Sequence, residues 1–349
     1  MKQIWPLLLL LLAGVVGSRW VRTDNSPVQN DRTAPHTATA SDERADLSKT
    51  PQADFRDFLF LDEHHGWAVT SYALWKTDDG GQTWEEIKKS QLRKLFDKIE
   101  TLDVFEMLQF FDGTEGWVVE GNHLSHTTDG GVSWQDQEFE HVTVRSVRFI
   151  DRNRGWFAGQ LMTLPRKKGD VEHWHPIIYE TEDGGKKWRC SFIGPEDHYP
   201  LWDIWPISST SIWAVGGLIV NSSDGGATWR KVKVSDWSGV GGMPFRVRFL
   251  DSRTGWIITN APGAYLMTSD GGKTWEPLPT EPGTQGFTDV VYTSVAEAFG
   301  VRRALYHSTD HGQTWTKVAD GDYYRVRYLR EGDFIFAGGK GVIKRRRSP

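Results

Sequence analysis

The phrase Ser/Thr-x-Asp-x-Gly-x-x-Trp occurs six times in this chain, at Thr77–Trp84, Thr127–Trp134, Thr181–Trp188, Ser222–Trp229, Thr268–Trp275 and Ser308–Trp315. The intervals between its tryptophans are 50, 54, 41, 46 and 40 residues. A period in that range marks a repeat architecture, in which each unit needs its neighbours to bury its apolar face. The most conspicuous residues of the chain therefore belong first to its fold.

Upstream of each phrase lies a hydrophobic segment with Gly-Trp or an equivalent: Gly66-Trp67, Gly116-Trp117, Gly155-Trp156, Ile212-Trp213 and Gly255-Trp256, with degenerate copies around Phe299 and Phe336. Further upstream are alternating stretches such as Val147-Arg148-Phe149-Ile150-Asp151 and Val247-Arg248-Phe249-Leu250-Asp251. Each unit reads as four short antiparallel strands joined by an Asp-containing turn and a Gly-rich turn. Four strands in roughly 45 residues describe a propeller blade. The expected fold is all-β, a seven-bladed β-propeller with four-stranded blades over 55–345. First strands begin near Phe55, Val104, Val144, Leu201, Phe245, Phe287 and Tyr324. The seventh unit ends too early for a fourth strand of its own. A segment before Phe55, within Ala45–Asp54, is expected to close the ring, because an open sheet edge invites aggregation.

The repeat argues for one ring in the 349 residues, and 36 Gly with 18 Trp suit many short strands and tight turns. A formal charge of −5 argues against general nucleic-acid binding. Met1-Lys2 precedes an apolar run from Ile4 to Val16, followed by Gly17 and Ser18. This pattern over residues 1–18 resembles a signal peptide, the alternative being an uncleaved N-terminal anchor. Residues 19–54 read as a polar linker, and 346–349 as a basic C-terminal tail. With a single cysteine, Cys190, no intramolecular disulfide is available.

The phrase has a structural explanation that covers all six copies. Asp79, Asp129, Asp183, Asp224, Asp270 and Asp310 cap a turn by accepting backbone N–H bonds while Gly supplies positive φ. Trp84, Trp134, Trp188, Trp229, Trp275 and Trp315 then pack between sheets. Each loop lacks the acidic ligands of an EF-type calcium site. No metal or other cofactor is expected.

These phrases resemble the Asp-box, or BNR repeat, of sialidases and several non-enzymatic propellers. Together with the Gly-Trp segment some 16 to 19 residues before most box tryptophans, the pattern is similar to the photosystem II stability and assembly factor propellers of plants and cyanobacteria. The resemblance covers about 55–345. It implies a non-catalytic, exported protein, periplasmic or thylakoid-lumenal, that binds a newly made membrane protein of the reaction centre through an arginine-rich face.

The chain offers candidates for that face. Arg148, Arg248 and Arg327 share one position in the first strands of blades three, five and seven; Arg246 and Arg325 lie two residues earlier, on the same side by alternation. Arg56 and Arg145 lie nearby. The matching position holds Leu59, Gln109, Trp205 and Val291 in the other blades. First strands surround the central channel, so these charges converge and repel unless water, acids or a ligand answer them. Asp57, Asp103, Glu106, Asp203 and Asp289 are available to answer. Two readings follow: an internal Arg–carboxylate network that holds blades together, or a carboxylate-binding mouth. On the second, Arg248 and Arg327 are the foremost partner-binding residues, then Arg148, Arg246 and Arg325, with Trp205 beside them. Arg248→Glu with Arg327→Glu is expected to weaken partner binding while melting falls by only a few degrees.

The leading function is thus a monomeric binding or assembly scaffold whose partner is a protein, a membrane-protein segment on the export side. A carbohydrate- or cell-envelope-binding propeller would need Trp174, Trp202, Trp205 and Trp237 as a sugar platform. A sialidase-like hydrolase would need Arg148, Arg248 and Arg327 as a free triad, with one of Tyr323, Tyr324 and Tyr328 as nucleophile. Two insertions interrupt the repeat. Leu92, Leu95, Phe96 and Ile99 recur at helical spacing, and 161–176 reads as a basic loop carrying Arg166-Lys167-Lys168 and His173-Trp174-His175. The two histidines alone make a poor metal site.

Overall fold

The computed structural model describes residues 42–44, 55–70, 72–89, 105–165, 171–233, 242–260, 264–279, 286–330, 334–339 and 341–346. The chain divides into a unit of Met1–Ala38 with Pro349 and a unit of Thr39–Ser348, and every described residue belongs to the second. Residues 1–18, most of the linker, the helical insertion around Leu92–Ile99, Arg166–Lys168 and Trp237 lie outside the described residues.

A short strand, β1 (Asp42–Arg44), precedes the first blade. Blade one is β2 (Asp57–Phe60), β3 (Gly66–Val69), β4 (Ala73–Thr77) and β5 (Glu85–Lys89); blade two is β6 (Phe105–Phe110), β7 (Gly116–Glu120), β8 (His123–Thr127) and β9 (Gln135–Glu138). Blade three is β10 (Val142–Phe149), β11 (Gly155–Thr163), β12 (His173–Thr181) and β13 (Arg189–Ile193); blade four is β14 (Leu201–Pro206), β15 (Ile212–Gly216), β16 (Ile219–Ser222) and β17 (Arg230–Lys231). Blade five is β18 (Pro244–Phe249), β19 (Gly255–Thr259), β20 (Ala264–Thr268) and β21 (Glu276–Pro279); blade six is β22 (Asp289–Tyr292), β23 (Ala298–Val301), β24 (Ala304–Ser308) and β25 (Thr316–Asp320). Blade seven is β26 (Tyr323–Leu329), β27 (Phe334–Gly339) and β28 (Gly341–Arg346), completed by β1. The expected seven four-stranded antiparallel sheets are all present.

Closure uses a different segment from the one expected. The fourth strand of blade seven is Asp42–Arg44, upstream of Ala45–Asp54, and its register sets Asp42 opposite Arg345 and Glu43 opposite Lys344. Opposite charges at facing cross-strand positions favour that pairing, and the tract Ala45–Asp54 carries Pro51, which cannot donate to a ladder. The last strand also takes in the first residue of the tail expected over 346–349, since Lys344–Arg346 pair with Phe334–Phe336. The blade-three insertion also differs from a loop: Leu161–Thr163 pair with His173–His175, which lengthens the β11–β12 hairpin.

Aromatic packing between blades explains the Gly-Trp signature. Trp67, Trp117, Trp156 and Trp213 are all at most 2% exposed. The second-strand aromatic of one blade meets the aromatic near the end of the next blade's first strand: Trp67 stacks on Phe110 at 4.3 Å, Trp117 on Phe149 at 4.0 Å, and Trp256 meets Tyr292 at 4.8 Å. The ring closes in the same way, with Phe336 of blade seven stacked on Phe60 of blade one at 3.9 Å. That first-strand aromatic also lies over its own blade's glycine. A methyl group at Gly116 or Gly155 would overlap Phe110 or Phe149. In blade four the facing residue is Pro206, and Ile212 stands where the glycine would be.

The Asp-box turns reach further than the sequence suggests. In each copy the Asp Oδ1 accepts the backbone N–H four residues on, as in Thr83 to Asp79 at 2.9 Å and Lys187 to Asp183 at 2.9 Å. The Ser/Thr that opens the phrase donates its hydroxyl to the same Oδ1 and accepts the N–H of the second glycine, as Thr77 does with Asp79 and Gly81 at 2.9 Å. The turn then docks on the loop between the first two strands. Gly80, Gly130, Gly184, Gly225, Gly271 and His311 donate N–H bonds of 2.7–2.9 Å to His64, Thr114, Asn153, Thr210, Arg253 and Ala296. Box tryptophans seal the sheets as expected: Trp84, Trp275 and Trp315 are buried, and Trp134, Trp188 and Trp229 half-buried.

Candidate partner-binding site

Pairing with the second strand fixes the position shared by the inner arginines. Leu59, Gln109, Arg148, Trp205, Arg248, Val291 and Arg327 face Trp67, Trp117, Trp156, Trp213, Trp256, Phe299 and Phe336 respectively. They form one ring of side-chain positions around the channel. Two residues earlier is a second ring: Asp57, Met107, Ser146, Asp203, Arg246, Asp289 and Arg325. The upper ring carries three guanidinium groups and no carboxylate, while all three carboxylates, Asp57, Asp203 and Asp289, sit in the lower ring.

The rings are joined by a repeated clamp between blades. Asp203 of blade four accepts bonds from the Arg248 guanidinium and, at 3.1 Å, from the Val247 N–H of blade five. Asp289 of blade six does the same for Arg327, at 2.6 Å, and Val326 N–H, at 3.3 Å. In both, the arginine Nη1 also donates to the preceding carbonyl, Val247 at 2.6 Å or Val326 at 2.8 Å. Arg327 makes a second ion pair, with Asp57 across the closure of the ring. Gln109 clamps blade three without charge, its amide exchanging two bonds of 2.8 Å with the Phe149 backbone. Ser146 Oγ donates to Asp203 Oδ1 at 2.9 Å.

The inner arginines therefore fall into two groups. Arg248 and Arg327 are held by carboxylates of their own chain. Among the described residues no carboxylate holds Arg148: its Nη1 contacts the Met107 thioether and the Val147 carbonyl, each at 3.3 Å. Arg325 donates to the Tyr324 carbonyl at 2.9 Å, and Arg246 approaches Asp289 only to 4.0 Å. The half-buried Trp205 ring lies under both Arg148, at 5.5 Å, and Arg248, at 4.7 Å, an arrangement that stabilises cations in a partly dry site.

The electrostatics follow from this inventory. Burial alone would raise the carboxyls, yet the Arg327 field, then Arg246, holds Asp57 below its ordinary range, and Arg248, then Arg148, does so for Asp203. Asp289 falls to about 2 because Arg327 and then Arg246 outweigh its burial. Desolvation lowers Arg148 to about 9, with repulsion from Arg248 adding to it. Arg325 also falls to about 9, through desolvation and then Arg246. Arg327 is raised, because Asp57 and Asp289 overcome its burial. At about 9, Arg148 and Arg325 remain cations at neutral pH.

A cavity of about 530 Å³ is lined by the upper-ring Arg148, Trp205, Arg248 and Arg327, by the lower-ring carboxylates Asp57 and Asp289, and by Tyr292 and Tyr328. Arg246 and Arg325 lie among the lower positions and do not line it. This volume is in the range of sites that take a small ligand or a few side chains. Sequence reasoning brought the five arginines and Trp205 together but missed Met107, whose place in the clamp becomes visible only from inter-blade bonding. Other candidates lie apart. Trp174 is 37% exposed on the blade-three hairpin, and the half-buried Trp202 stacks with Arg145 at 4.7 Å. Cys190 is half-buried, its thiol pKa raised by desolvation. Among the described residues no group of three His, Cys, Asp or Glu side chains is placed to hold a metal ion.

Known proteins share this architecture and sequence pattern. The family model described as photosynthesis system II assembly factor YCF48 matches residues 36–142 and 138–286, and the BNR/Asp-box repeat matches 306–317. The photosystem II assembly protein Ycf48 of Thermosynechococcus vestitus is 29% identical over 313 residues, 84% of this chain and 81% of the relative. A solved structure of YCF48 bound to D1 peptide superposes with a TM-score of 0.61 at 24% identity, covering 90% of this chain and 96% of that one. YCF48 from Cyanidioschyzon merolae gives 0.62 at 17% identity, covering 88% and 99%. The fold alone extends to an ancestral GH74 enzyme, with a TM-score of 0.62 at 12% identity over 87% of this chain and 45% of that one. With a family model matched over most of its length and its blade pattern intact, the chain belongs to the photosynthesis system II assembly factor YCF48 family.

Proposed function

We propose that this propeller is an exported, non-catalytic assembly scaffold that docks an acidic segment of a photosystem II membrane protein at the mouth of its arginine-lined channel. The observation that carries this reading is the cavity itself. It presents Arg148, a cation with no carboxylate partner among the described residues, beside the Trp205 ring that a second guanidinium, Arg248, also approaches. Asp203 and Asp57 act on Arg148 only through space, and a cation without a directly bonded carboxylate in a partly dry cavity favours an anionic group arriving from outside. A relative in this family has been solved with a D1 peptide, and D1 is the first partner to test. Export rests on the apolar run Ile4–Val16 and on family membership.

Two competing readings lose their support in the channel. A sialidase-like triad would need Arg148, Arg248 and Arg327 free together, yet Arg248 and Arg327 are bound to Asp203, Asp289 and Asp57. A sugar platform would need open tryptophan faces, yet Trp202 and Trp205 are half-buried and stacked with arginines. The test uses immobilised peptides tiling the export-side segments of D1, probed with the purified propeller at low and high salt. Salt-sensitive binding of an acidic peptide that weakens more than about tenfold in Arg148→Glu supports the reading. Binding to no peptide, or salt-independent binding unchanged in that variant, rejects it.

A further inference from the structure

The channel repeats one device three times and completes it twice. In each case the lower-ring residue of one blade meets the guanidinium of the next and the backbone N–H just before it. For Arg248 that residue is Asp203, and for Arg327 it is Asp289. For Arg148 it is Met107, whose sulfur takes the Arg148 Nη1 and the Val147 N–H, both at 3.3 Å. The thioether reproduces the geometry of the carboxylate without its charge. A thioether is only a weak acceptor, so Arg148 is held in place by a group that does not neutralise it.

We infer that Arg148 is the seat for one carboxylate group from outside the chain, which takes the charge-compensating part that Asp203 and Asp289 play for the sister arginines. The inference rests on the proposed docking at this mouth and narrows it to one residue and one chemical group. Arg148 borders the 530 Å³ cavity, so a ligand has access to it from the open side while Met107 occupies the inner side. The Trp205 ring lies 5.5 Å from its guanidinium and offers it a π face, while the planar fork suits a carboxylate. Arg248 adds positive field, and its single carboxylate, Asp203, lies in the field of both arginines. Arg327 offers no such vacancy, being already bonded to two carboxylates.

The carboxylate could belong to a small free acid or to an acidic side chain of a protein segment, and the two sources are separable. The experiment uses the purified full-length protein labelled with ¹⁵N-arginine, titrated with acetate or with the peptide acetyl-Glu-Glu-amide at constant ionic strength and pH. Arginine Nε–H resonances and thermal melting are followed. Arg148→Gln identifies the Arg148 signal, and Met107→Asp places the missing acid within the chain. Wild type is expected to shift the Arg148 signal and to melt higher with either probe. Met107→Asp is expected to melt no lower than wild type without a probe and to lose the response to both. Arg148→Gln, should Met107→Asp fail to fold, carries the same expectation of a lost melting response. Binding of the peptide at a more than about tenfold lower concentration than acetate assigns the seat to a protein segment, and equal binding per carboxylate assigns it to free acids. Either upholds the seat. An Arg148 signal unmoved by both probes, or an Arg148→Gln protein whose melting responds as wild type does, overturns it. Because acetate needs no macromolecular partner, the seat can stand or fall separately from the docking of D1.

Discussion

Replacing Arg327 by glutamine should destabilise the ring severely, while the same change at Arg148 should not. Arg327 bonds Asp57 and Asp289, which are 3% and 1% exposed, and joins blade seven to blades six and one at the ring closure. Without it, two buried carboxylates lose their main compensating charge; Asp289 keeps the Val326 N–H and the more distant Arg246. Breaking a buried pair in this way costs about 3–5 kcal/mol. With an unfolding entropy near 2.1 cal/mol/K per residue over about 300 residues, that amounts to a fall of roughly 5–8 °C in Tm. Arg148 deprives no carboxylate of a direct partner when it is removed, and its loss relieves a desolvated cation. Its glutamine variant is expected to melt within about 1–2 °C of wild type. Scanning calorimetry of both variants at neutral pH decides the matter. Equal losses would refute the division of the arginines into held and unheld. The expectation that Arg248→Glu with Arg327→Glu spares melting is likewise replaced: both are structural ion pairs, and their reversal should unfold the ring at much lower temperature.

Gly116→Ala is expected to lose about 1–3 kcal/mol, because its methyl group would overlap the Phe110 ring; urea unfolding measures it, and an unchanged midpoint contradicts the packing account. Deleting residues 1–41 should leave melting unchanged, whereas deleting 1–45 removes β1 and exposes the edge of β28; light scattering should then show association, and a monomer with unchanged melting contradicts closure by Asp42–Arg44. Acid should unfold the ring chiefly between about pH 4 and pH 2. Asp129, Asp224, Asp270 and Asp310 are lowered from 3.8 to about 2 by bonds from residue +4 of each turn, and Asp289 to about 2 as its arginines outweigh burial. Carboxyls depressed in the folded state contribute fully above their unfolded value and lose that contribution as pH falls through the folded one. A main loss of melting temperature above pH 5 would contradict this.

The blades were legible because most leave a local mark: six carry an Asp-box turn closed within eight residues, and four a glycine beneath the aromatic that lies over it. Two of the other blades fit the same logic, since Ile212 faces Pro206 and Phe334 faces Leu329 with no ring to accommodate, while Ala298 stands opposite Tyr292. The closing strand was misplaced because three residues paired to the far end of the chain carry no periodicity, and complementarity of Asp42-Glu43 to Lys344-Arg345 requires the register to be known. The arginine ring was visible from strand alternation, but its division was not. Whether an inner arginine is compensated depends on the lower-ring residue of the preceding blade, some 38 to 45 positions away. Met107 could have been found by aligning the blades and reading that second column, where a thioether stands among carboxylates.

The central claim is that the channel mouth recruits an acidic protein segment through Arg148, while Arg248 and Arg327 hold the ring. The most direct measurement is the affinity of the purified propeller for a D1 peptide it is shown to bind, compared between wild type, Arg148→Glu and Met107→Asp, with melting recorded for each. A loss of more than about tenfold in both variants with melting preserved is the expected result. Wild-type affinity in Arg148→Glu, in a protein that melts as wild type does, would contradict the claim outright.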